Sequence, residues 1–542
     1  MPLTREQKLD QLARGDAAFD VVVVGGGITG AGIAREAAGS GLSTLLVEQR
    51  DFSWGTSSRS SKMIHGGLRY LGSGHFRLTR DAVRERERLL AEAPGLIDPL
   101  RFIMPHYQKQ FPGPKLFQLL LRLYDRLAGK PSRHRLSPAD TLQWVPGLST
   151  SHLTGASGFT DAVTDDARLV QRVLEEAEAD GAICLNYMQA QAVLRNSETN
   201  AVTGVHLLDT SADSQTPEMT VNTPLVINAT GAWAGQLKQT DSSDTRIRPL
   251  RGSHLVVPYS RLPVSCSVSL FHPEDHRPVF AFPWQGTTVL GTTDLDHTES
   301  LSREPAINRE ELDYLLQISS RLFPASAITE RDVIATWAGV RPVVTQSPVL
   351  NQSKGTRKPS KENREHVIWS DNGLISVAGG KLTTFRLIAR EVLERGQMPG
   401  FHLRNNALPV FASPPDLERP DAISHQNWHR LQGFYGPALP EVLRAGTHET
   451  VAGTDTLWAE LAWAAANTGV IHLDDLMLRR TRLGLVLPKG GEDLLPDIRC
   501  LCKPILAWDD TTWEREEARY LELWRSCYSL PATFPAKQEA TG

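Results

Sequence analysis

FDVVVVGGGITGAGIAREAAGSGLSTLLVEQR, residues 19–50, holds the reading that decides the fold. Phe19 to Val24 is a short, largely β-branched run of the kind that forms a buried parallel strand. It meets Gly25, Gly27 and Gly30, spaced GxGxxG, and then a small-residue helix around Ala31 to Ala38. In such a unit the first glycine makes the tight turn, the second lets backbone amides approach a pyrophosphate, and the third lets helix and strand pack closely. The helix N-terminus adds the positive end of its dipole. A second strand, Ser43 to Val47, delivers Glu48, 18 residues after Gly30, to accept the ribose hydroxyls of an adenosine. Strand, glycines, helix, strand and terminal acid in this order predict a Rossmann-like dinucleotide fold of the α/β class.

Composition limits what the rest can be. At 542 residues, two or three domains are expected. With 40% hydrophobic residues, 22% charged and a formal net charge of -4, the chain has an ordinary soluble composition and lacks the basic excess of a nucleic-acid binder. Five scattered cysteines without a CxxC pair read as reduced structural thiols, in keeping with a cytoplasmic setting. The polar start has no apolar core of signal-peptide type, and no run approaches the length of a spanning helix. No metal constellation is visible, so no metal is expected. DAVTDD, Asp161 to Asp166, reads as acids capping a helix that starts near Ala167, and RERER, Arg84 to Arg88, as a solvated helix face.

The nucleotide domain is interrupted and resumed. LVINATGAWAG, Leu225 to Gly235, reads as a strand bringing Ala229, Thr230 and Gly231 to a turn. Leu374 to Ala378 is another strand, followed by Gly379 and Gly380 and a helix through Leu382, Phe385, Ala389 and Val392. Such an interrupted domain suits FAD better than NAD. GGGITGAGIARE, SSKMIHGGLRYL, RGSHLVVP, GTTD, GVRP, REHVI and AGGKLTTFR, in this order, resemble the FAD-dependent glycerol-3-phosphate dehydrogenase family, respiratory enzymes of bacteria and mitochondria. The likeness runs from about Asp20 to Ala389 and, more faintly, through DLMLRRTRLGLVLP. Two departures stand out: the family usually carries Asp where Glu36 stands, and Tyr where Phe385 stands.

Flavin oxidation of a secondary alcohol needs a hydride path, a base for the hydroxyl proton and cations for an anionic substrate. The resemblance implies that Arg69, Arg341, Arg364 and Lys381 line a glycerol 3-phosphate pocket, with Tyr70 beside them. His254 is the favoured base, because Gly252 and Ser253 open a strand, Leu255 to Val257, the matched motif puts the histidine near the flavin, and imidazole titrates in the useful range. His65, next to Gly66 and Gly67, is the rival, though it suits flavin packing. Ser57, Ser61 and Lys62 are expected to wrap the cofactor, and Gly66 and Gly67 to approach its flavin. Gly380, Lys381, Leu382 and Thr383 complete the expected cofactor set.

The expected architecture is a discontinuous FAD-binding domain with a mixed-sheet substrate domain and a C-terminal α-helical domain. Residues 18–400 form the oxidoreductase core, with FAD-binding parts at about 18–75, 155–249 and 365–398 and a substrate part at about 250–364. Residues 401–542 form the helical domain. Asn351 to Glu365 reads as a basic surface loop that ends near Arg364. The family's acceptor is a membrane quinone, and the helix expected within 112–135, with leucines at helical spacing among Lys115, Arg122, Arg126, Lys130, Arg133 and Arg135, could lie on an anionic membrane surface. Peripheral attachment to the inner face of the cytoplasmic membrane follows from that reading, with a homodimer as one assembly considered. Competing functions are a related oxidase using oxygen, an FAD enzyme acting on an amino or hydroxy acid, and a flavin-binding regulator.

Overall fold

In the computed structural model Val21–Val24 is a strand with all four side chains buried, as β-branched residues flanked by apolar layers should be. The structure describes residues 3–13, 18–68, 71, 74, 76–211, 218–237, 245–275, 277–346 and 366–532. Arg69, Tyr70, Arg364 and the 351–365 loop lie outside the described residues.

Val21–Val24 sits inside a six-stranded sheet ordered Val367–Asp371, Leu374–Ala378, Val226–Asn228, Val21–Val24, Thr44–Val47, Ile183–Leu185. All neighbours are parallel except the antiparallel pair Val367–Asp371 and Leu374–Ala378. Strands separated by some 200 residues of chain therefore share one nucleotide sheet. Helix Ile28–Ala38 packs on the sheet between helices Asp166–Ala179 and Phe385–Arg395. The Phe385 ring is buried against Gly32, where a Cβ would lie 2.7 Å from Cδ2. A smaller antiparallel sheet, Glu218–Asn222, Val202–Asp209 and Met188–Arg195, packs on one face of the nucleotide sheet, its Val193, Val205 and Val221 clustering with Val22, Val24, Leu45 and Val47.

The third sheet has ten strands along its path or paired to it, and it is the one that reaches the chemistry. Its long hairpin-like pair, Thr245–Pro258 against Ala335–Gln346, runs antiparallel in register from Thr245↔Gln346 to Val256↔Ala335. Thr287–Gly291 lies on the other side of Thr245–Pro258. Leu153–Thr164 pairs along its length with Ile97–Tyr107 in this large sheet, so it is not part of the nucleotide sheet, and Met63–Ile64 joins it too.

Two expectations about charge hold only in part, for one reason. Asp165 does cap helix Asp166–Ala179, accepting from the Arg168 amide at 3.0 Å, but Asp161 and Asp166 are buried in ion pairs. Arg86 and Glu85 of RERER are buried as well, because Asp161 meets Arg86 and Arg386 meets Glu85 at 2.5 Å. Partners 75 and 301 residues away turned an alternating surface pattern into interior pairs.

The basic helix is Pro114–Ala128, started by Gly113 and Pro114 and stopped at Gly129 with φ 69°. Lys130, Arg133 and Arg135 thus lie beyond it, and Arg133 pairs with Asp125 at 2.7 Å. From His425–Tyr435 to Asp510–Cys527 the chain is helical, and its Trp463, Leu476 and Trp513 belong to one apolar cluster with Trp284 and Trp337 of the large sheet.

Candidate active site

A cleft opens at the carboxyl ends of the parallel strands, where a doubly wound sheet binds ligands. Its floor contains Gly25, Gly27 and the start of helix Ile28–Ala38, and Glu48 lies at one end. Gly25 adopts φ +114°, and a Cβ there would stand 2.6 Å from the Ala229 carbonyl oxygen. At Gly30 a Cβ would stand 1.8 Å from the Gly25 carbonyl oxygen, so helix and turn touch only because both positions are bare. The Glu48 carboxylate accepts from the amides of Gly26 at 2.7 Å and Arg50 at 2.9 Å. Burial raises its pKa, against the lowering by those amides.

The opposite side is formed by Ala229, Thr230 and Gly231, and the far end by Gly380, Lys381 and Leu382. Ser57 lines the cleft and accepts from the Ile28 amide at 3.0 Å. Sequence reading missed other walls: Trp54 and Trp233, tilted against each other with centroids 5.7 Å apart, and Gln189 and Gln191 from the small sheet. Trp233 follows directly on the ATGA turn, so its position was available from the motif; the glutamines carry no signal in sequence.

Several expected cofactor residues are not among those lining this cleft. His65 is bound through its amide to Thr383 Oγ1 at 3.1 Å, which ties the Met63–Ile64 strand to the turn after Gly380. Gly66 donates its amide to Asp161, and a Cβ there would lie 2.3 Å from the Tyr124 hydroxyl. Gly67 has φ 74°. The Lys62 expectation is corrected: its ammonium is fully buried, 2.7 Å from Asp166 and 3.2 Å from the Ser58 carbonyl, with the rings of Trp284 and Trp337 each 4.6 Å away. Burial, then Arg482, pushes its pKa down to about 8, against Asp166. Its charge is used inside the fold and not on a cofactor phosphate.

Ser60 and Pro342 also line the cleft, and Pro342 belongs to the strand pair whose one face carries the remaining candidates. Residues directly opposite in an antiparallel pair, and residues two apart along a strand, point the same way. His254 is opposite Trp337, Gly252 opposite Gly339, and Leu250 opposite Arg341. His254, Gly252, Gly339, Trp337 and Arg341 therefore share one face, with Gly291 beside His254. The glycines make room for the two side chains: a Cβ on Gly252 would lie 2.4 Å from Arg341 Nη2, and one on Gly291 2.1 Å from His254 Cδ2. The Arg59 carbonyl crosses above Gly339, where a Cβ would approach it to 2.5 Å.

His254 is buried, stacked on Trp337 at 4.9 Å, with Nε2 2.9 Å from Ser61 Oγ and, among the described residues, no hydrogen-bond partner at Nδ1. Burial above all, then the charges of Arg341 and Lys62, holds its pKa well below the ordinary imidazole value. Arg341 is a quarter exposed, donating to Asp294 at 3.1 Å and to Thr292 Oγ1 at 3.1 Å. The structure thus brings His254, Ser61 and Arg341 together one step past the cleft and puts Lys381 at its end. Asp294 and the W-x-G-x-R alternation of residues 337–341 were the missed signal, readable from the two-residue period of a strand.

A family model described as FAD dependent oxidoreductase matches residues 20–386, and one described as the C-terminal domain of alpha-glycerophosphate oxidase matches residues 379–513. Glycerol-3-phosphate dehydrogenase 2 of Mycobacterium bovis is 34% identical over 532 residues, covering 94% of this chain and 88% of the relative. The chain belongs to the FAD-dependent glycerol-3-phosphate dehydrogenase family. Within that family, the aerobic glycerol-3-phosphate dehydrogenase of Staphylococcus saprophyticus is 34% identical over 398 residues, 72% of this chain and 69% of the relative. The structure of the Bacillus halodurans glycerol-3-phosphate dehydrogenase complexed with FAD superposes with a TM-score of 0.74 at 25% identity, covering 96% of this chain and 97% of that one.

The residues present suit FAD. The Gly25–Gly27 turn leaves space for a pyrophosphate at a helix N-terminus, Glu48 is held by two amides at the adenosine end, and the Gly379–Gly380 turn, with φ of 82° and 92°, ends the cleft beside the His254 face.

Proposed function

We propose that this chain oxidises sn-glycerol 3-phosphate to dihydroxyacetone phosphate and delivers the electrons to a membrane quinone. The observation that supports it most is one face of the large sheet, on which a buried imidazole kept neutral and a guanidinium each pack over a glycine. Bound FAD would supply the hydride acceptor. Arg341 and Lys381 would hold the phosphate, Arg341 being oriented for it by Asp294 and Thr292. When His254 Nε2 donates to Ser61 Oγ, the Nδ1 lone pair has no partner among the described residues and is available for the hydroxyl proton. Arg69, Tyr70 and Arg364 are proposed to complete the substrate pocket.

Membrane docking is proposed through helix Pro114–Ala128. Phe117, Leu121 and Tyr124 are buried, whereas Leu119 is 61% and Leu116 42% exposed beside Lys115, Arg122 and Arg126, and Phe111 just before the helix is 78% exposed. Among the described residues no helix is long and apolar enough to cross a membrane. The match to a domain named for an oxidase favours oxygen as the second reading of the acceptor. Glycerol 3-phosphate-dependent reduction of a soluble quinone analogue under argon, with little oxygen uptake in air, is the expected result. Rapid oxygen uptake with peroxide formation would replace quinone by oxygen, and no turnover with either would overturn the activity.

A further inference from the structure

We propose that Arg482, from the C-terminal helical region, is a positioning residue for the redox site, setting the Ser61–His254 pair through Asp166 and the Ser58–Lys62 segment. The inference rests on the reading of His254 as the base.

Arg482 is buried with φ 62°, between the Asp475–Arg480 turn and the short helix Leu483–Val486. Its Nη2 donates both to the Ser58 carbonyl at 2.7 Å and to Asp166 Oδ1 at 2.8 Å, and its Nη1 to the Leu478 carbonyl at 2.7 Å. Asp166 in turn grips alternate residues of the segment. It accepts from the Ser60 amide at 2.9 Å, from the Ser60 hydroxyl at 2.7 Å and from the Lys62 ammonium at 2.7 Å. With Ser58, Ser60 and Lys62 pinned towards Asp166, the intervening Ser61 presents its hydroxyl the other way, 2.9 Å from His254 Nε2. Trp337 closes the link: its indole N–H donates to the Ser60 carbonyl at 3.2 Å while its ring stacks on His254.

Charge explains why an arginine is needed. The cluster is buried and sets Lys62 and Arg482 against Asp165 and Asp166, and the two terminal nitrogens of the Arg482 guanidinium hold the Leu478 carbonyl on one side and the Ser58 carbonyl with Asp166 on the other, a fork that a single ammonium lacks. Misplacing a reacting group by about 1 Å can cost on the order of a hundredfold in rate.

The test uses R482M, R482K, H254A and the double variant R482M/H254A in the full-length flavoprotein. Stopped-flow flavin reduction by glycerol 3-phosphate should be slowed about a hundredfold in R482M with substrate affinity and flavin content kept, and R482K should recover part of the loss. In the H254A background R482M should add little, since the two act through one pair. A wild-type rate in R482M, or an equal further loss in the H254A background, overturns the proposal. Histidine-selective NMR, with the His254 signal assigned by its loss in H254A, reads the pair directly. The signal should move in R482M, or in R482K if R482M does not accumulate, and an unmoved signal overturns the proposal. A moved signal in a protein whose flavin glycerol 3-phosphate does not reduce would uphold the positioning role and reject the functional reading.

Discussion

The cleft along Gly25 and Gly27 and the face carrying His254 and Arg341 meet at Ser60 and Pro342, yet they are made of different materials. The cleft is chiefly backbone: bare turns, amide donors and a helix end, with Glu48 its main charge. The face is chiefly side chain, and its members are held by neighbours from four or more distant segments, among them Ser61, Asp294, Trp337 and, through Asp166, Arg482. Backbone geometry is written in short motifs. Side-chain geometry of this kind is written in contacts that only the fold assembles.

Substitutions can break either half. G30V should have the largest effect, because a side chain there overlaps the Gly25 carbonyl and forces helix Ile28–Ala38 off its strand; the purified protein is expected to carry no flavin, as measured by absorbance at the flavin bands. H254A should retain flavin and slow its reduction by about 10²–10⁴-fold in stopped flow, the usual contribution of a general base. Equal flavin loss in both variants would dissolve the distinction between backbone cleft and side-chain face.

A third substitution reaches the charge web under the cleft. Asp51 accepts from Arg480 through two bonds of 2.6 and 2.8 Å, from Arg479, and from Asn186 at 3.0 Å, all buried. D51N should cost about 3–5 kcal/mol of stability in chemical denaturation, as breaking a buried pair does, with flavin reduction changed less than in H254A. The reverse pattern would place Asp51 in the redox site.

The smallest effect is a pH limb. Burial, Arg341 and Lys62 keep the His254 pKa below its ordinary 6.5, so the base stays neutral and the rate of flavin reduction at saturating substrate should begin to fall only below that pH. The unfolded chain binds this proton near 6.5 while the folded chain does not, so the same group lowers stability on acidification through that range. An acid limb centred at or above 6.5 would assign the proton to another group.

The nucleotide sheet was legible because its signals are local: valines, a glycine spacing and an acid at a fixed distance. The resumed strands near Val226 and Leu374 were legible for the same reason. Lys62 and Arg86 were not, since an isolated cation in sequence looks the same whether it meets solvent or a buried carboxylate 75 or 104 residues away. The partner of Leu153–Thr164 was not legible, because strand patterning specifies burial and leaves the partner open. The His254–Gly252 and Trp337–Gly339–Arg341 alternation lay in plain view and needed only the pairing register to become a site.

The most direct test is anaerobic. Adding sn-glycerol 3-phosphate to the purified flavoprotein without any acceptor should bleach the flavin absorbance rapidly and yield one dihydroxyacetone phosphate per flavin, whereas a flavin that stays oxidised, or is bleached equally well by an amino acid, would contradict the proposed function.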